Sequence, residues 1–343
     1  MKTLYNKSFL KFSDFTSQEI LYLLNFSKIL KKKKQKNKEI KYLKNKKIIL
    51  IFEQTSTRTR CAFEIAAYEQ GAYTTILNPS DTHIKHKESI EDSIKIFNLL
   101  YDGIQYRGNS HNTIKLFKKY AKIPVWNGLT QKFHPTQVLA DIFTMKEIYP
   151  NLSFFEIKCA YIGDAQNNIS NTLLEAAKIL KFQLTIIAPK KYWPKKEFLE
   201  KYIYNTTSKI NNIQYTENIS IGTKKIHFIY TDVWVSMTEN ENCWTKKIKD
   251  LLPYQVNENL IYHTKNPNIK ILHCLPALHN QDSILGKKLH TLYNLKNGLE
   301  ITHSIFKSKY NISFQQANNK LHTIKALLIS NLCIFDSFKK IFK

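Results

Sequence analysis

Apolar and polar positions along the chain switch repeatedly between two periods. Short β-branched runs, beginning with Ile48-Ile49-Leu50-Ile51-Phe52, read as strands buried on both faces. Between them, apolar residues recur at helical spacing, as in Ile90, Ile94, Phe97 and Tyr101, with Gly103 closing that segment. The pattern predicts strands over 47–52, 73–77, 104–107, 123–126, 157–162, 184–188, 227–231 and 270–274. It predicts helices over 57–70, ended by Gly71, and over 88–101, 136–149, 169–181, 195–203 and about 316–342. Strand–helix alternation of this kind implies an α/β fold with parallel sheets covered on both faces. The cycle restarts near Tyr149-Pro150-Asn151, which marks a domain boundary, and 343 residues suit two domains at roughly 150 residues each. No internal repeat or low-complexity tail is present.

Composition adds one pointed observation. The chain has 52 basic residues, yet only Arg58, Arg60 and Arg107 are arginine. Two of them share the heptad Thr55-Ser56-Thr57-Arg58-Thr59-Arg60-Cys61. Where lysine is the default cation, a retained guanidinium suggests a planar fork gripping phosphate or carboxylate. The heptad follows strand 47–52 and opens a helix. The unpaired N–H groups of a first turn and the positive end of the helix dipole make that place an anion site, and Ser56 suits the N-cap. An ordinary capped helix is the plainer account, and the arginines argue against it.

Other compositional features mainly exclude. The net charge of +25 invites a nucleic-acid reading. The lysines are scattered, however, apart from the run Lys31 to Lys38, which reads as a solvated helix end or loop. The eight glycines cannot be written into a dinucleotide-binding or P-loop fingerprint, nor into a nucleophile elbow. Five cysteines without metal-type spacing, and a start lacking an apolar signal core, point to a reduced, cytoplasmic chain. Apolar runs fall far below the ~18 residues that span a bilayer.

In open α/β sheets ligands gather at the carboxyl ends of strands, and the polar motifs obey this. Arg107 ends strand 104–107, and Asp164 to Asn168 follow strand 157–162. Asp232 follows strand 227–231, with Ser236 and Met237 just beyond. His273 and Cys274 end strand 270–274, and His134-Pro135-Thr136-Gln137 opens a helix. Each alone is as well explained by packing; five such segments on one type of edge are not.

Ser56-Thr57-Arg58-Thr59-Arg60, His134-Pro135-Thr136-Gln137, Asp232-Val233-Trp234-Val235-Ser236-Met237 and His273-Cys274-Leu275-Pro276-Ala277 together resemble the signature set of the ornithine carbamoyltransferases. The resemblance runs in register from about Phe9 to Lys325. It implies two doubly wound α/β domains, the last helix returning to the first. Residues 1–150 with about 318–343 would bind carbamoyl phosphate, and 151–317 would bind ornithine. It implies a trimer with active sites between subunits, small-molecule substrates only, no cofactor, no metal, no nucleic acid and no membrane.

By the same resemblance carbamoyl phosphate would meet Ser56, Thr57, Arg58, Thr59, Arg60, His83, Arg107, His134, Gln137, Cys274, Leu275 and Lys320. Arg107, His134 and the Thr59 hydroxyl would stabilise the developing oxyanion, with Gln137 on the carbamoyl amide. Ornithine would meet Asn168, Asp232, Ser236 and Met237. Cys274 and the Leu275 carbonyl would border the reacting δ-amino group, which makes Arg107, His134, Cys274 and Thr59 the expected catalytic set. Four positions depart from the family pattern. His83 stands for a glutamine that reaches carbamoyl phosphate from the neighbouring subunit, and Lys85 for a glycine. Thr238 stands for a glycine, and Lys320 for an arginine, which keeps the charge and loses the fork. His83 and His86 have no carboxylate or thiol partner that would make them a metal site. The sequence leaves open another amine as acceptor, or a non-catalytic basic binding protein.

Overall fold

The computed structural model describes residues 4–82, 84, 87–204, 211–235, 241–295 and 297–334. His83, Lys85, Ser236, Met237 and Thr238 lie outside the described residues. The described chain forms two compact units, one up to Thr144 and again from Asn318, the other from Met145 to Ala317.

The first unit carries β1 (Lys47–Phe52), β2 (Tyr73–Leu77), β3 (Gly103–Arg107) and β4 (Val125–Leu129), all parallel, in the order β2-β1-β3-β4. Its helices are α1 (Ser17–Gln35), α2 (Thr57–Glu69), α3 (Ile90–Leu100), α4 (His111–Tyr120) and the greater part of α5 (Pro135–Ile148). Right-handed crossovers put helices on opposite faces once the strand order reverses between β1 and β3. β1 is therefore buried on both faces from Ile48 to Phe52. Ile49, Ile51, Ile104, Tyr106 and Val125 pack with Ile94, Ile114 and Phe117 on one side of this sheet. Gly103 lets the edge of the Trp126 ring approach the backbone; a Cβ there would stand 2.3 Å from the indole.

The second unit carries β5 (Lys158–Ile162), β6 (Gln183–Ile187), β7 (Ile213–Thr216), β8 (Phe228–Thr231) and β9 (Lys270–His273), parallel in the order β7-β6-β5-β8-β9. Its helices are α6 (Asn168–Leu180), α7 (Lys196–Phe198), α8 (Ile219–Gly222), α9 (Trp244–Leu251), α10 (Glu258–Thr264), α11 (Ile284–Tyr293) and α12 (His303–Phe306). The core beneath the sheet joins Ile162, Ile229 and Ile271 to Val256, Leu260 and Ile305.

The last helix, α13 (Ser313–Leu332), returns the chain to the first unit, as the resemblance implied. Polar groups fasten it there. The fully buried Lys325 ammonium pairs with Glu39 and Glu69. Asn319 donates to Thr144 Oγ1 at 2.9 Å, and Trp126 Nε1 donates to Asn331 Oδ1 at 2.9 Å. Among the described residues no helix is long and apolar enough to cross a membrane.

Some local readings shift, and the strand at Ile213–Thr216 is not among those the pattern predicts. β4 begins at Val125 because Pro124 has no N–H to give a ladder. It continues to Leu129 through an Asn-Gly pair that would signal a turn, because Asn127 is pinned to the carbonyls of Leu10 and Phe133. The helix read over 195–203 is a short α-turn running into a π-turn over Leu199–Ile203, a distinction apolar spacing does not encode. Lys31–Lys34 sit at the end of α1, where the dipole favours cations.

Buried histidines give this fold an acid limit. Burial, assisted by nearby lysines, lowers His111 and His322 from 6.5 to about 4, so both fold uncharged. The unfolded chain takes up these protons as pH falls through 6.5, and the native protein only near 4. Their stabilising share is therefore complete above 6.5 and lost in between. We expect unfolding free energy to drop by about 2 kcal/mol per histidine from pH 7 to pH 5, and His322→Asn to remove one share. A urea midpoint that stays level across that interval contradicts this.

Candidate active site

Both sheets reverse strand order once, between β1 and β3 and between β5 and β8. The carboxyl ends of strands at such a reversal frame a crevice, and each unit places its polar motifs there.

In the first unit the β1–α2 connection ends in Ser56, whose hydroxyl caps α2 by accepting from Thr59 N at 3.3 Å. Thr57 and Arg58 occupy the first turn and are exposed. Arg60 is turned along the helix to Glu64, with Nε 3.1 Å from Oε2. Thr59 is buried, and its Oγ1 accepts from two cations: Arg107 Nη1 at 3.4 Å, from the end of β3, and Lys320 Nζ at 3.1 Å, from α13. Lys320 also donates to Gln137 Oε1 at 3.1 Å, and Gln137 Nε2 to Asp141 Oδ1 at 2.8 Å. His134 precedes α5 and is buried. Burial first, and then the charges of Lys320 and Arg107, hold its imidazole well below the ordinary range. It therefore stays neutral and can donate a hydrogen bond to an oxygen gaining charge without first giving up a positive charge.

In the second unit β5 is followed by Gly163, whose φ of +116 and position 2.5 Å from Trp234 Nε1, measured from a notional Cβ, leave no space for a side chain. Asn167 caps α6, accepting from Ser170 N at 2.9 Å, and its amide donates to Tyr161 Oη at 2.6 Å. Asn168 opens the helix, half-buried. Asp164 is paired with Lys247 of α9 at 2.8 Å. After β8 comes Asp232, buried, which accepts from Cys274 Sγ at 2.9 Å and Val233 N at 2.8 Å. Burial raises its carboxyl above the usual carboxylate range, opposed by the neighbouring His273 and by these donors. His273 ends β9. Cys274 lies just beyond, partly accessible, and Leu275 has φ +56. Asp232, His273 and Cys274 present atoms within 4.8 Å of one another. Both imidazole nitrogens are engaged, Nδ1 by Leu275 N at 2.9 Å and Nε2 by Glu300 Oε1 at 3.2 Å. With Cys274 on Asp232 and His273 on Leu275 and Glu300, these groups are already engaged in hydrogen bonds rather than forming an open set of metal ligands.

The structure thus gathers Ser56, Thr57, Arg58, Thr59, Arg107, His134, Gln137 and Lys320 in one unit, and Asn168, Asp232, Cys274 and Leu275 in the other. Sequence reasoning missed Asp141, although a Gln–Asp pair four apart on a helix is legible. It also missed Glu300, flagged only as a charge between the apolar Leu299 and Ile301. Tyr161 left no signal in a buried strand.

Comparison with known proteins assigns these two stretches of chain to a family. Residues 7–147 match the model of the aspartate/ornithine carbamoyltransferase carbamoyl-P binding domain, and residues 155–331 that of the Asp/Orn binding domain. The chain is 54% identical over 332 residues to an ornithine carbamoyltransferase of Blochmanniella floridana, covering 97% of this chain and 96% of that protein. It is 52% identical over 332 residues to that of Buchnera aphidicola subsp. Acyrthosiphon pisum (strain APS), covering 97% and 98%. Among solved structures it is similar to ornithine carbamoyltransferase from Pyrococcus furiosus, with TM-score 0.86 and 29% identity over 97% of this chain and 99% of that one. It is also similar to the anabolic enzyme from Campylobacter jejuni, with TM-score 0.79 and 34% identity over 94% and 97%.

The electrostatics around His134 can be checked directly. Lys320→Met removes one of the two charges that depress it. We expect the His134 imidazole, followed by NMR, to titrate at higher pH than in the parent yet below the ordinary ~6.5, because burial remains. An unshifted titration places the Lys320 ammonium elsewhere.

Proposed function

We infer from a chain that belongs to the aspartate/ornithine carbamoyltransferase family that it transfers the carbamoyl group of carbamoyl phosphate to the δ-amino group of L-ornithine, giving L-citrulline and phosphate. The observation that carries the reading at residue level is the meeting of Arg107 and Lys320 on the Thr59 hydroxyl, beside a neutral His134.

In this reading residues 1–150 with 318–343 hold carbamoyl phosphate and 151–317 hold ornithine. Ser56, Thr57, Arg58 and Thr59 cradle the phosphate at the start of α2, where first-turn amides and the helix dipole favour an anion. Arg58 is the heptad's guanidinium for this task, since Arg60 is tied to Glu64. Arg107, His134, the Thr59 hydroxyl and Lys320 act on the carbonyl oxygen, which becomes negative as the amine attacks. Gln137, steadied by Asp141, holds the carbamoyl amide. Asp232 takes ornithine's α-ammonium; its burial raises the cost of the bare carboxylate, which an incoming cation offsets. Asn168 and the Met237 backbone take the α-carboxylate, with Ser236 nearby. Cys274 and the Leu275 carbonyl border the δ-amine.

The neutral δ-amine forms the C–N bond, the C–O bond to phosphate breaks, and the amine's proton leaves with it. Charge stabilisation and orientation carry the rate, and neither a covalent intermediate, a cofactor nor a metal is needed. The same reading makes the assembly a homotrimer whose active sites are shared between subunits, with His83 crossing to its neighbour, and places it in the cytoplasm.

Citrulline formation from ornithine, assayed against putrescine and acetylated ornithine, tests the acceptor. Product from ornithine alone is expected, with a rate that rises with pH as the amine is deprotonated. Preference for another amine refutes the acceptor, and salt-sensitive nucleic-acid retention without citrulline refutes the enzyme. Arg58→Lys is expected to lower kcat/KM for carbamoyl phosphate by about ten- to a hundredfold, the loss of one bidentate contact. Parental kinetics would remove Arg58 from the cradle.

A further inference from the structure

The segment His273-Cys274-Leu275-Pro276-Ala277-Leu278 is short and irregular, and Leu275 holds a left-handed φ of +56. A β-carbon makes that conformation unfavourable, and it persists only where the surroundings over-determine it. The surroundings here converge on one carboxylate. Glu300 is fully buried between Leu299 and Ile301, themselves buried. Its Oε1 accepts from His273 Nε2 at 3.2 Å and from Leu278 N at 2.6 Å, so a single oxygen joins the two ends of the segment.

The ring's other nitrogen fixes its tautomer. Leu275 N donates to His273 Nδ1 at 2.9 Å, so Nδ1 carries the lone pair and the proton is on Nε2, pointing at Glu300. The chain Glu300–His273–Leu275 N therefore pins Leu275, the residue of this segment with a left-handed backbone. Cys274 lies between these anchors, with Sγ on Asp232 Oδ1 at 2.9 Å. Trp234, Leu278, Leu289 and Leu299 form one apolar cluster behind it. A core position asks for an apolar side chain, and a buried carboxylate is costly unless hydrogen bonds repay it. Glu300 Oε2 makes no hydrogen bond among the described residues, so this acid is not there for stability alone.

We propose that Glu300 is a positioning residue for carbamoyl transfer: acting through the His273 imidazole and the Leu278 amide, it holds the Cys274 thiol and the Leu275 carbonyl where the reacting amine needs them. The proposal rests on the carbamoyl-transfer reading above. Glu300 touches no substrate, so its removal acts through the geometry of the segment.

The experiment compares the parent with Glu300→Gln, which keeps length and an acceptor oxygen but not the charge, and with Glu300→Ala, which keeps neither. Two quantities are read at the same folded fraction. One is kcat with ornithine and carbamoyl phosphate. The other is the alkylation rate of Cys274 by iodoacetamide without substrates, followed on its own peptide so that Cys61 and Cys243 do not contribute. We expect kcat to fall by roughly ten- to a hundredfold in Glu300→Ala, the scale of a misplacement near 1 Å, with Glu300→Gln in between. Alkylation should rise in the opposite order as Sγ leaves Asp232. If Glu300→Ala fails to fold, Glu300→Gln alone decides. Parental kcat and alkylation in a folded variant overturn the proposal, and so does a loss of kcat that merely follows the folded fraction. If the parent makes no citrulline, the carbamoyl-transfer reading falls. The alkylation series, which needs no substrate, still reports on the brace.

Discussion

One hydroxyl oxygen organises the first unit. Thr59 Oγ1 accepts from both Arg107 and Lys320, two cations from chain segments more than two hundred residues apart. Bringing them to one buried point requires the α2 N-terminus, the carboxyl end of β3 and the returning helix α13 to be held in fixed relation. The reversal of strand order between β1 and β3 sets the first two side by side. The buried pairing of Lys325 with Glu39 and Glu69, and the bonds of Asn319 and Asn331, set the third. The neutrality of His134 follows from the same arrangement, since burial and the two nearby cations disfavour its proton. Clustered cations that hold an imidazole neutral make a site ready for negative charge that appears only during reaction.

The second unit obeys the same topological rule with different chemistry. Its reversal between β5 and β8 puts the segment from Asp164 to Asn168 and Asp232 at the same carboxyl edge of the sheet, and β9 adds His273 and Cys274. Here the dominant group is a buried carboxylate whose ionisation burial makes costly, suited to a cationic ligand. The polar residues are held by partners deeper in the fold: Asn167 by Tyr161, and His273 by Glu300. The site is thus supported from its own core.

Much of this was legible in the sequence, for identifiable reasons. Strand 47–52 was found to the residue because a parallel strand buried on both faces reads as an apolar run, and the edge strand 73–77 because its residues Tyr-Thr-Thr-Ile-Leu favour extended backbone. Ser56 was placed as an N-cap by its residue type and position. The arginine heptad stood out against a lysine-rich background, although Arg60's ion pair with Glu64 depends on helix geometry and separates it from Arg58. Contacts that are distant in sequence stayed hidden. Asn127 remains in β4 because of Leu10 and Phe133, and nothing local announces that. Glu300 lies 27 residues from His273, and only its place in an apolar run hinted at a buried partner. Lys320 was reached through resemblance alone, because helical periodicity does not tell which buried lysine approaches a hydroxyl.

The central claim, that the cation-bearing Thr59 cluster is the carbamoyl-phosphate site, is tested most directly by calorimetric titration of carbamoyl phosphate, or of a phosphonate analogue that does not hydrolyse, into the parent and Thr59→Val. Valine keeps the shape and removes the oxygen on which Arg107 and Lys320 meet. The Thr59 hydroxyl would donate to the ligand's anionic oxygen, and a hydrogen bond to a charged group contributes on the order of 1.5–3 kcal/mol, so the account predicts affinity weaker by about ten- to a hundredfold in a folded protein. Parental affinity in folded Thr59→Val would contradict it.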